Sequence, residues 1–326
     1  MSRILVTGGA GYIGSHACKA LAAAGYEPVT FDNFRTGWRD AVRYGPLIEG
    51  DLRDRDAVER ALRETRPEAV LHFAALSEVG ASVADPAGYW DNNLRSAQAL
   101  FDAMRATGTE KLVFSSTCAV NGDLDGVTID ETSPLNPASA YGATKAAVEL
   151  MLADYVRAYG LRALTFRYFN VAGADPEAEL GEHHRPETHL VPLALQAVRG
   201  ERVLKVFGDD YPTRDGTCVR DYLHVCDLVR AQLLALRYLD RDRRVPVLCL
   251  GTGRGMSVRE IIAAAQAVTG LAVPHDIAPR RPGDPASLVC GSALAARELG
   301  WAADLSTPER MIGDAWRWHR QAGYSR

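Results

Sequence analysis

Tyr141-Gly142-Ala143-Thr144-Lys145 places a tyrosine and a lysine four residues apart, and on a helix that spacing puts both on one face. A phenol with a pKa of about 10 is a poor base at neutral pH. An ammonium beside it favours the phenolate and lowers that value. The pair could then take the proton of a substrate hydroxyl. Taken alone, Y-x-x-x-K is common among surface helix pairs. It gains weight from Ser115-Ser116-Thr117, a cluster of hydroxyls that ends an apolar run just upstream. In a parallel sheet the carboxyl ends of strands line the ligand crevice, and a hydroxyl there can bridge tyrosine and substrate.

A second constellation opens the chain. Thr7-Gly8-Gly9-Ala10-Gly11-Tyr12-Ile13-Gly14 satisfies G-x-x-G-x-x-G through Gly8, Gly11 and Gly14, and G-x-G-x-x-G through Gly9, Gly11 and Gly14. It follows an apolar strand run and leads into a helical pattern, the context that gives a glycine motif its meaning. Glycines permit the tight turn and let the backbone approach a pyrophosphate. The helix N-terminus then offers free N–H groups and the positive end of a dipole. Asp32 ends the next strand, near the offset expected of a ribose-binding acid, where a carboxylate binds ribose hydroxyls and repels a 2′-phosphate. NAD is therefore expected rather than NADP, with Arg35 nearby weakening the preference. A bound positive nicotinamide would further favour the Tyr141 phenolate.

These residues need a scaffold. Ile4–Thr7, Pro28–Asp32, Leu47–Ile48, Ala69–Ala74, Lys111–Ser116 and Ala163–Tyr168 read as strands. Ser15–Ala24, Arg55–Glu64, Asn93–Ala106 and Tyr141–Tyr159 read as helices between them. Continuously apolar strands suit a parallel sheet covered on both faces, and the β-α alternation predicts a doubly wound α/β sheet of Rossmann type. After Asn170 the rhythm changes. Gly173–Glu187 reads as a long loop, followed by a helix near His189–Val198, strands at Val203–Phe207 and Val219–His224, a helix from Asp227, a strand at Pro246–Leu250 that fits the main sheet, and helices Ser257–Thr269 and Pro308–Arg320. The expected organisation is an NAD-binding domain over 1–170, joined by a later strand near 246–253, and a smaller mixed α/β substrate domain over 171–326.

The chain has 326 residues, 47% hydrophobic and 24% charged, with a formal charge of −4. That balance is ordinary for a soluble protein and offers no basic field for nucleic acid. The six cysteines show no C-x-x-C or zinc-finger spacing, as expected of reduced thiols in a cytoplasmic protein. No signal segment opens the sequence and no apolar run is long enough to span a bilayer. His183, His184 and His189 form a histidine-rich stretch. With no carboxylate or cysteine at ligand spacing to them, the stretch reads as a loop closing over substrate, and no metal is expected.

The glycine motif, the strand-end hydroxyls and Tyr141/Lys145 resemble those of the extended short-chain dehydrogenase/reductases. Further segments, among them Gly50-Asp51-Leu52, His72-Phe73-Ala74-Ala75, Asp91-Asn92-Asn93, Arg167-Tyr168-Phe169-Asn170, Val219-Arg220-Asp221-Tyr222-Leu223-His224-Val225 and Arg280-Arg281-Pro282-Gly283-Asp284, are similar to the UDP-glucose 4-epimerase family nearly end to end. The resemblance implies that Tyr141, Lys145 and Thr117 are catalytic. It also implies that Gly8, Gly11, Tyr12, Ile13, Gly14, Asp32, Asn33, Asp51, Leu52, Phe73, Ala74, Ala75, Asn92 and Phe169 contact NAD. Asn170, Arg220, Tyr222, Arg281 and Asp284 would hold the nucleotide part of a nucleotide-sugar substrate, the arginines because a planar cation suits a diphosphate. A homodimer through the helices Asn93–Ala106 and Tyr141–Tyr159 is implied as well.

The related 4,6-dehydratases need an acid pair just after the strand-end hydroxyl. Here Cys118 and Ala119 follow Thr117, which favours simple epimerisation at C4. A silent NAD-sensing regulator on the same fold would have no need of Tyr141 and Lys145. Several positions depart from the family pattern. Asn121 replaces a tyrosine in a turn, where Asn-Gly should serve equally. Ser77 replaces a lysine found in some members, which puts one cofactor contact in doubt, and Thr117 replaces a serine. Leu288 stands where the family sets pocket size. It is intermediate between a residue that restricts the pocket to UDP-glucose and UDP-galactose and one that admits UDP-N-acetylhexosamines, and a UDP-pentose is also open.

Overall fold

The computed structural model describes residues 1–326 apart from 125, 242–246, 282–283, 322 and 325–326. Pro246 of the expected strand, and Pro282 and Gly283, lie outside the described residues.

Seven strands make the main sheet: β1 (Arg3–Thr7), β2 (Glu27–Asp32), β3 (Leu47–Glu49), β4 (Ala69–His72), β5 (Lys111–Ser115), β6 (Arg162–Arg167) and β7 (Val247–Cys249). They lie in the order β7-β6-β5-β4-β1-β2-β3, and every pairing is parallel. Successive side chains alternate between two cores. Ile4, Val6, Leu71, Val113 and Leu164 pack against helices Tyr12–Ala23 and Val225–Leu239. Leu5, Val29, Val70, Leu112 and Phe114 pack against Arg55–Thr65, Ser96–Thr107 and Ala140–Tyr159. Burial on both faces explains why these runs lack polar alternation. The chain winds outward from β1 through β2 and β3, and in the other direction from β4 through β7. The crevice at this reversal opens beyond the carboxyl ends of β1 and β4.

The remaining residues build smaller layers. Helices Leu190–Val198, Val258–Thr269 and Pro308–His319 share a core of Leu195, Ile261, Ile312 and Val206. A mixed sheet joins Met256–Ser257, Val219–Arg220, Ser287–Cys290 and Thr128–Ile129. The run Val219–His224, expected as one strand, divides at Asp221. The buried Asp221 carboxylate accepts hydrogen bonds from the backbone N–H of Thr252 at 3.0 Å and of Gly253 at 3.1 Å. Its second half, Tyr222–His224, pairs instead with Asn170–Ala172. The helix expected from Asn93 begins earlier, with a wide π-type turn over Trp90–Arg95. Short helices Val79–Ala84 and Pro86–Tyr89 precede it without having been anticipated.

Candidate active site

Beyond Thr7 the chain turns through Gly8, whose φ of +76° favours glycine. A Cβ there would sit 2.7 Å from the backbone nitrogen of Ala74. At Gly14 a Cβ would fall 2.1 Å from the carbonyl oxygen of Gly8. The turn is thus packed to the limit of backbone contact. The helix Tyr12–Ala23 starts from Gly11 with no side-chain cap and no acid in its first turn. Its first N–H groups are therefore available to an anion, which suits a pyrophosphate. Asp32, at the end of β2, accepts from the N–H of Ala10 at 3.0 Å and of Phe34 at 2.8 Å. Burial pushes its pKa up against those two bonds, and each oxygen keeps a lone pair for a ribose hydroxyl. Asn33 donates to Asp51 at 3.1 Å, and Arg53 holds the Asp51 carboxyl well below its ordinary range. Leu52, Ala74, Ala75 and Phe169 line the same cavity. Ile13 and Phe73 line it too, as do Asn92 and the exposed Ser77.

Tyr141 lies in the first turn of the helix Ala140–Tyr159, which Ser139 caps by accepting from the Gly142 N–H at 3.2 Å. Tyr141, Lys145 and Thr117 line the cavity together. Thr117 accepts from the Ala119 N–H at 3.1 Å and begins a tight turn over Cys118–Asn121. The electrostatics differ from the simple expectation. Burial, and next the neighbouring Tyr168, push the Tyr141 phenol up, while Thr117 pulls it down. The Lys145 ammonium donates to the Ser115 carbonyl at 2.8 Å and lies 4.8 Å from the centre of the Phe114 ring. Burial lowers its pKa to about 7, with Glu149 opposing that shift. In the chain alone, then, Lys145 is directed at the strand end, and desolvation of the phenol outweighs any help from it.

Glu149 was not singled out from sequence. One helical turn beyond Lys145, it accepts from the Arg167 Nε at 3.0 Å and from the Ser116 hydroxyl, with both ionic side chains 6% exposed. Removing one partner of such a pair typically costs about 3–5 kcal/mol. Asn93 is similarly hidden. It donates to the Leu76 carbonyl at 3.0 Å and to Thr144 at 3.1 Å, tying the loop after β4 to the catalytic helix. An acid in register with Lys145 was the available signal for Glu149. Asn93 gave none.

Asn170, Arg220, Tyr222, Arg281, Asp284 and Leu288 line the same cavity. Arg220 pairs with Asp284 and donates to the Pro285 carbonyl at 2.9 Å. Arg281 lies over the Phe207 ring at 4.0 Å. Asn121 does more than make a turn: fully buried, its amide donates to the carbonyls of Ser133 and Pro134, each at 3.0 Å. The histidine stretch also needs correction. No carboxylate seemed to be in register with it, yet Glu182 and Glu187 converge on His184 and His189. The cavity of about 1180 Å³, lined by the glycine turn and by Arg220, exceeds the roughly 300–1,000 Å³ of a typical single-ligand pocket.

Residues 4–251 match the model of the NAD dependent epimerase/dehydratase family, and the chain belongs to that family. It is 48% identical over 320 residues to a UDP-glucose 4-epimerase of Rhizobium leguminosarum bv. trifolii, covering 98% of each chain. Among solved structures, the UDP-glucose 4-epimerase of Brucella ovis in complex with NAD superposes with a TM-score of 0.95 at 48% identity, over 97% of this chain and 98% of that one. That of Stenotrophomonas maltophila, with bound NAD and formylated UDP-arabinopyranose, gives 0.94 at 42% identity, over 98% of both.

Proposed function

We propose that this protein is an NAD-dependent UDP-glucose 4-epimerase that interconverts UDP-glucose and UDP-galactose through a 4-keto intermediate. The observation that carries the reading is that one cavity is lined by the glycine turn, by Tyr141, Thr117 and Lys145, and by Arg220 and Arg281. When bound, NAD supplies a reversible hydride acceptor. Tyr141 removes the proton of the sugar 4-hydroxyl and later returns it, with Thr117 bridging phenol and sugar. Lys145 holds a ribose hydroxyl of the cofactor and contributes positive charge. Asn170, Arg220 and Arg281 anchor the nucleotide while the keto sugar turns over, so that binding energy remote from C4 serves the reaction. Cys118, fully buried beside Cys249 and Cys290, and Ala119 supply no acid pair for dehydration.

Residues 1–170 with β7 form the NAD-binding unit in this reading, and 171–326 the nucleotide-sugar unit. No helix among the described residues is long and apolar enough to cross a membrane, consistent with a cytoplasmic enzyme. Leu150, 61% exposed on the helix Ala140–Tyr159, supports a homodimer through that helix and Ser96–Thr107. Leu288 on the cavity wall keeps UDP-N-acetylhexosamines and a UDP-pentose as the alternative substrates. The test is incubation of purified protein with UDP-glucose, UDP-galactose, UDP-N-acetylglucosamine and UDP-xylose without added NAD. Interconversion of the hexose pair is expected, and C4 inversion of none of the four rejects the assignment.

A further inference from the structure

Glu182, His184, Glu187 and His189 lie on the cavity wall, where the loop after Gly173 enters the helix Leu190–Val198. Each contributes one ligand-type atom, and the four atoms lie within 4.8 Å of one another. The His189 Nδ1 is 2.7 Å from Glu182 and 3.5 Å from Glu187; the His184 Nδ1 is 3.2 Å and 3.8 Å from the same two carboxylates. A tetrahedral ion with bonds of about 2.0–2.1 Å holds neighbouring ligand atoms about 3.3 Å apart, which these separations straddle.

The carboxylates are buried, with side chains 4% and 5% exposed. Among the described residues the ion pairs these carboxylates make are with the two imidazoles. Buried charge of this kind needs compensation, and two imidazolium ions could in principle provide it. They would then direct their N–H groups at the carboxylates. Neither buried Nδ1 meets a carboxylate with hydrogen-bond geometry, although one stands only 2.7 Å from a carboxylate oxygen. The backbone of this segment is held from outside by two tryptophans. Trp318 donates to the Glu182 carbonyl at 3.1 Å and Trp38 to the His183 carbonyl at 2.7 Å. Glu187 Oε1, the oxygen 3.5 Å from the His189 Nδ1, accepts from the N–H of Thr188 at 2.8 Å and of His189 at 2.9 Å, and Oε2, 3.8 Å from the His184 Nδ1, is left for coordination.

We propose that Glu182, His184, Glu187 and His189 bind one divalent transition-metal ion of the zinc class, which clamps this segment into the cavity wall. Two imidazole nitrogens and two carboxylate oxygens suit zinc, and imidazole disfavours magnesium or calcium. The ion acts structurally, and the assignment is independent of which sugar the enzyme turns over.

The test uses tag-free, full-length protein. Elemental analysis after purification, and zinc titration after chelator treatment, should give one equivalent per chain. Cobalt(II) should bind competitively with zinc and give the visible bands of a tetrahedral nitrogen/oxygen site. The double variant His184→Gln/His189→Gln should bind more than about a hundredfold more weakly while keeping its circular dichroism spectrum. The proposal is overturned if the wild-type protein takes up no stoichiometric zinc, or if the folded variant binds as tightly as wild type. Thiolate-to-cobalt charge-transfer bands, which would place the ion at the cysteines, overturn it too. Should the variant fail to fold, the wild-type stoichiometry and cobalt spectrum decide the matter.

Discussion

Leu288 allows the pocket wall to be changed without disturbing the backbone behind it. Its strand, Ser287–Cys290, pairs with Val219–Arg220, with Leu288 opposite Arg220. The Leu288 carbonyl accepts from the Asp221 N–H at 3.0 Å, and the Ala286 carbonyl from the Val219 N–H at 2.8 Å. Held on one flank by these bonds and on the other by Thr128–Ile129, the strand keeps its place when the side chain changes. Leu288 is only partly buried, so Leu288→Ala costs little stability. It removes an isopropyl group, as many heavy atoms as a 2-acetamido substituent has beyond the hydroxyl it replaces. Shape discrimination of this size in an apolar wall is worth about 1–3 kcal/mol, or about tenfold to two-hundredfold in kcat/KM. The ratio of kcat/KM for UDP-N-acetylglucosamine over UDP-glucose should therefore rise by that range in Leu288→Ala and fall correspondingly in Leu288→Tyr. Both ratios come from initial rates on purified protein with each nucleotide sugar. If both variants keep the wild-type ratio, Leu288 does not bound the sugar, and the reasoning fails.

Tyr141→Phe should retain NAD, measured in the supernatant of denatured enzyme, while turnover drops by about 10²–10⁴ as expected for loss of a general base; near-normal turnover rejects Tyr141 in that role. In Gly14→Ala the new Cβ meets the Gly8 carbonyl oxygen at 2.1 Å and its carbon at 2.8 Å, so the helix must withdraw by about 1 Å, a displacement that can cost about a hundredfold in rate. The variant should purify with little NAD, and a full complement would show that the turn tolerates the methyl. Lys145 leads to a pH dependence in NAD-free protein. Its folded pKa of about 7 lies below an unfolded value of about 10.4, so between them the unfolded chain binds a proton the folded chain lacks. Lys145 thus makes stability rise with pH across that window, by up to about 1.4 kcal/mol per pH unit. Urea unfolding from roughly pH 7.5 to 9.5 should show that rise weakened in Lys145→Met, and parallel wild-type and variant curves would contradict the burial of the ammonium.

Features set by neighbours in the chain were legible before any fold was known. The Gly8–Gly14 turn, the Tyr141/Lys145 helical register and Asp32 at a strand end follow from backbone sterics and repeat geometry, which act over a few residues. The central strand runs were legible for the same reason, because burial on both faces leaves an unbroken apolar stretch. Partnerships between distant elements left no comparable trace. Arg167 meets Glu149 from β6, and Asp221 breaks a strand by capturing N–H groups of Thr252 and Gly253. The direction of the Lys145 ammonium was likewise decided by packing. It donates to the Ser115 carbonyl of β5, and desolvation then governs the charge of lysine and tyrosine alike.

The amino-acid sequence by itself determined which residues can turn, cap, pair along a helix or carry a proton, because those properties reside in short stretches of chain. Only the tertiary structure decided which of them share a buried space and in what electrostatic surroundings. Glu182 and Glu187 became neighbours of His184 and His189 through the path of an irregular loop, held by Trp38 and Trp318 from remote parts of the chain. Charge compensation and desolvation depend on distances through space, and no pattern of spacing along the sequence encodes them.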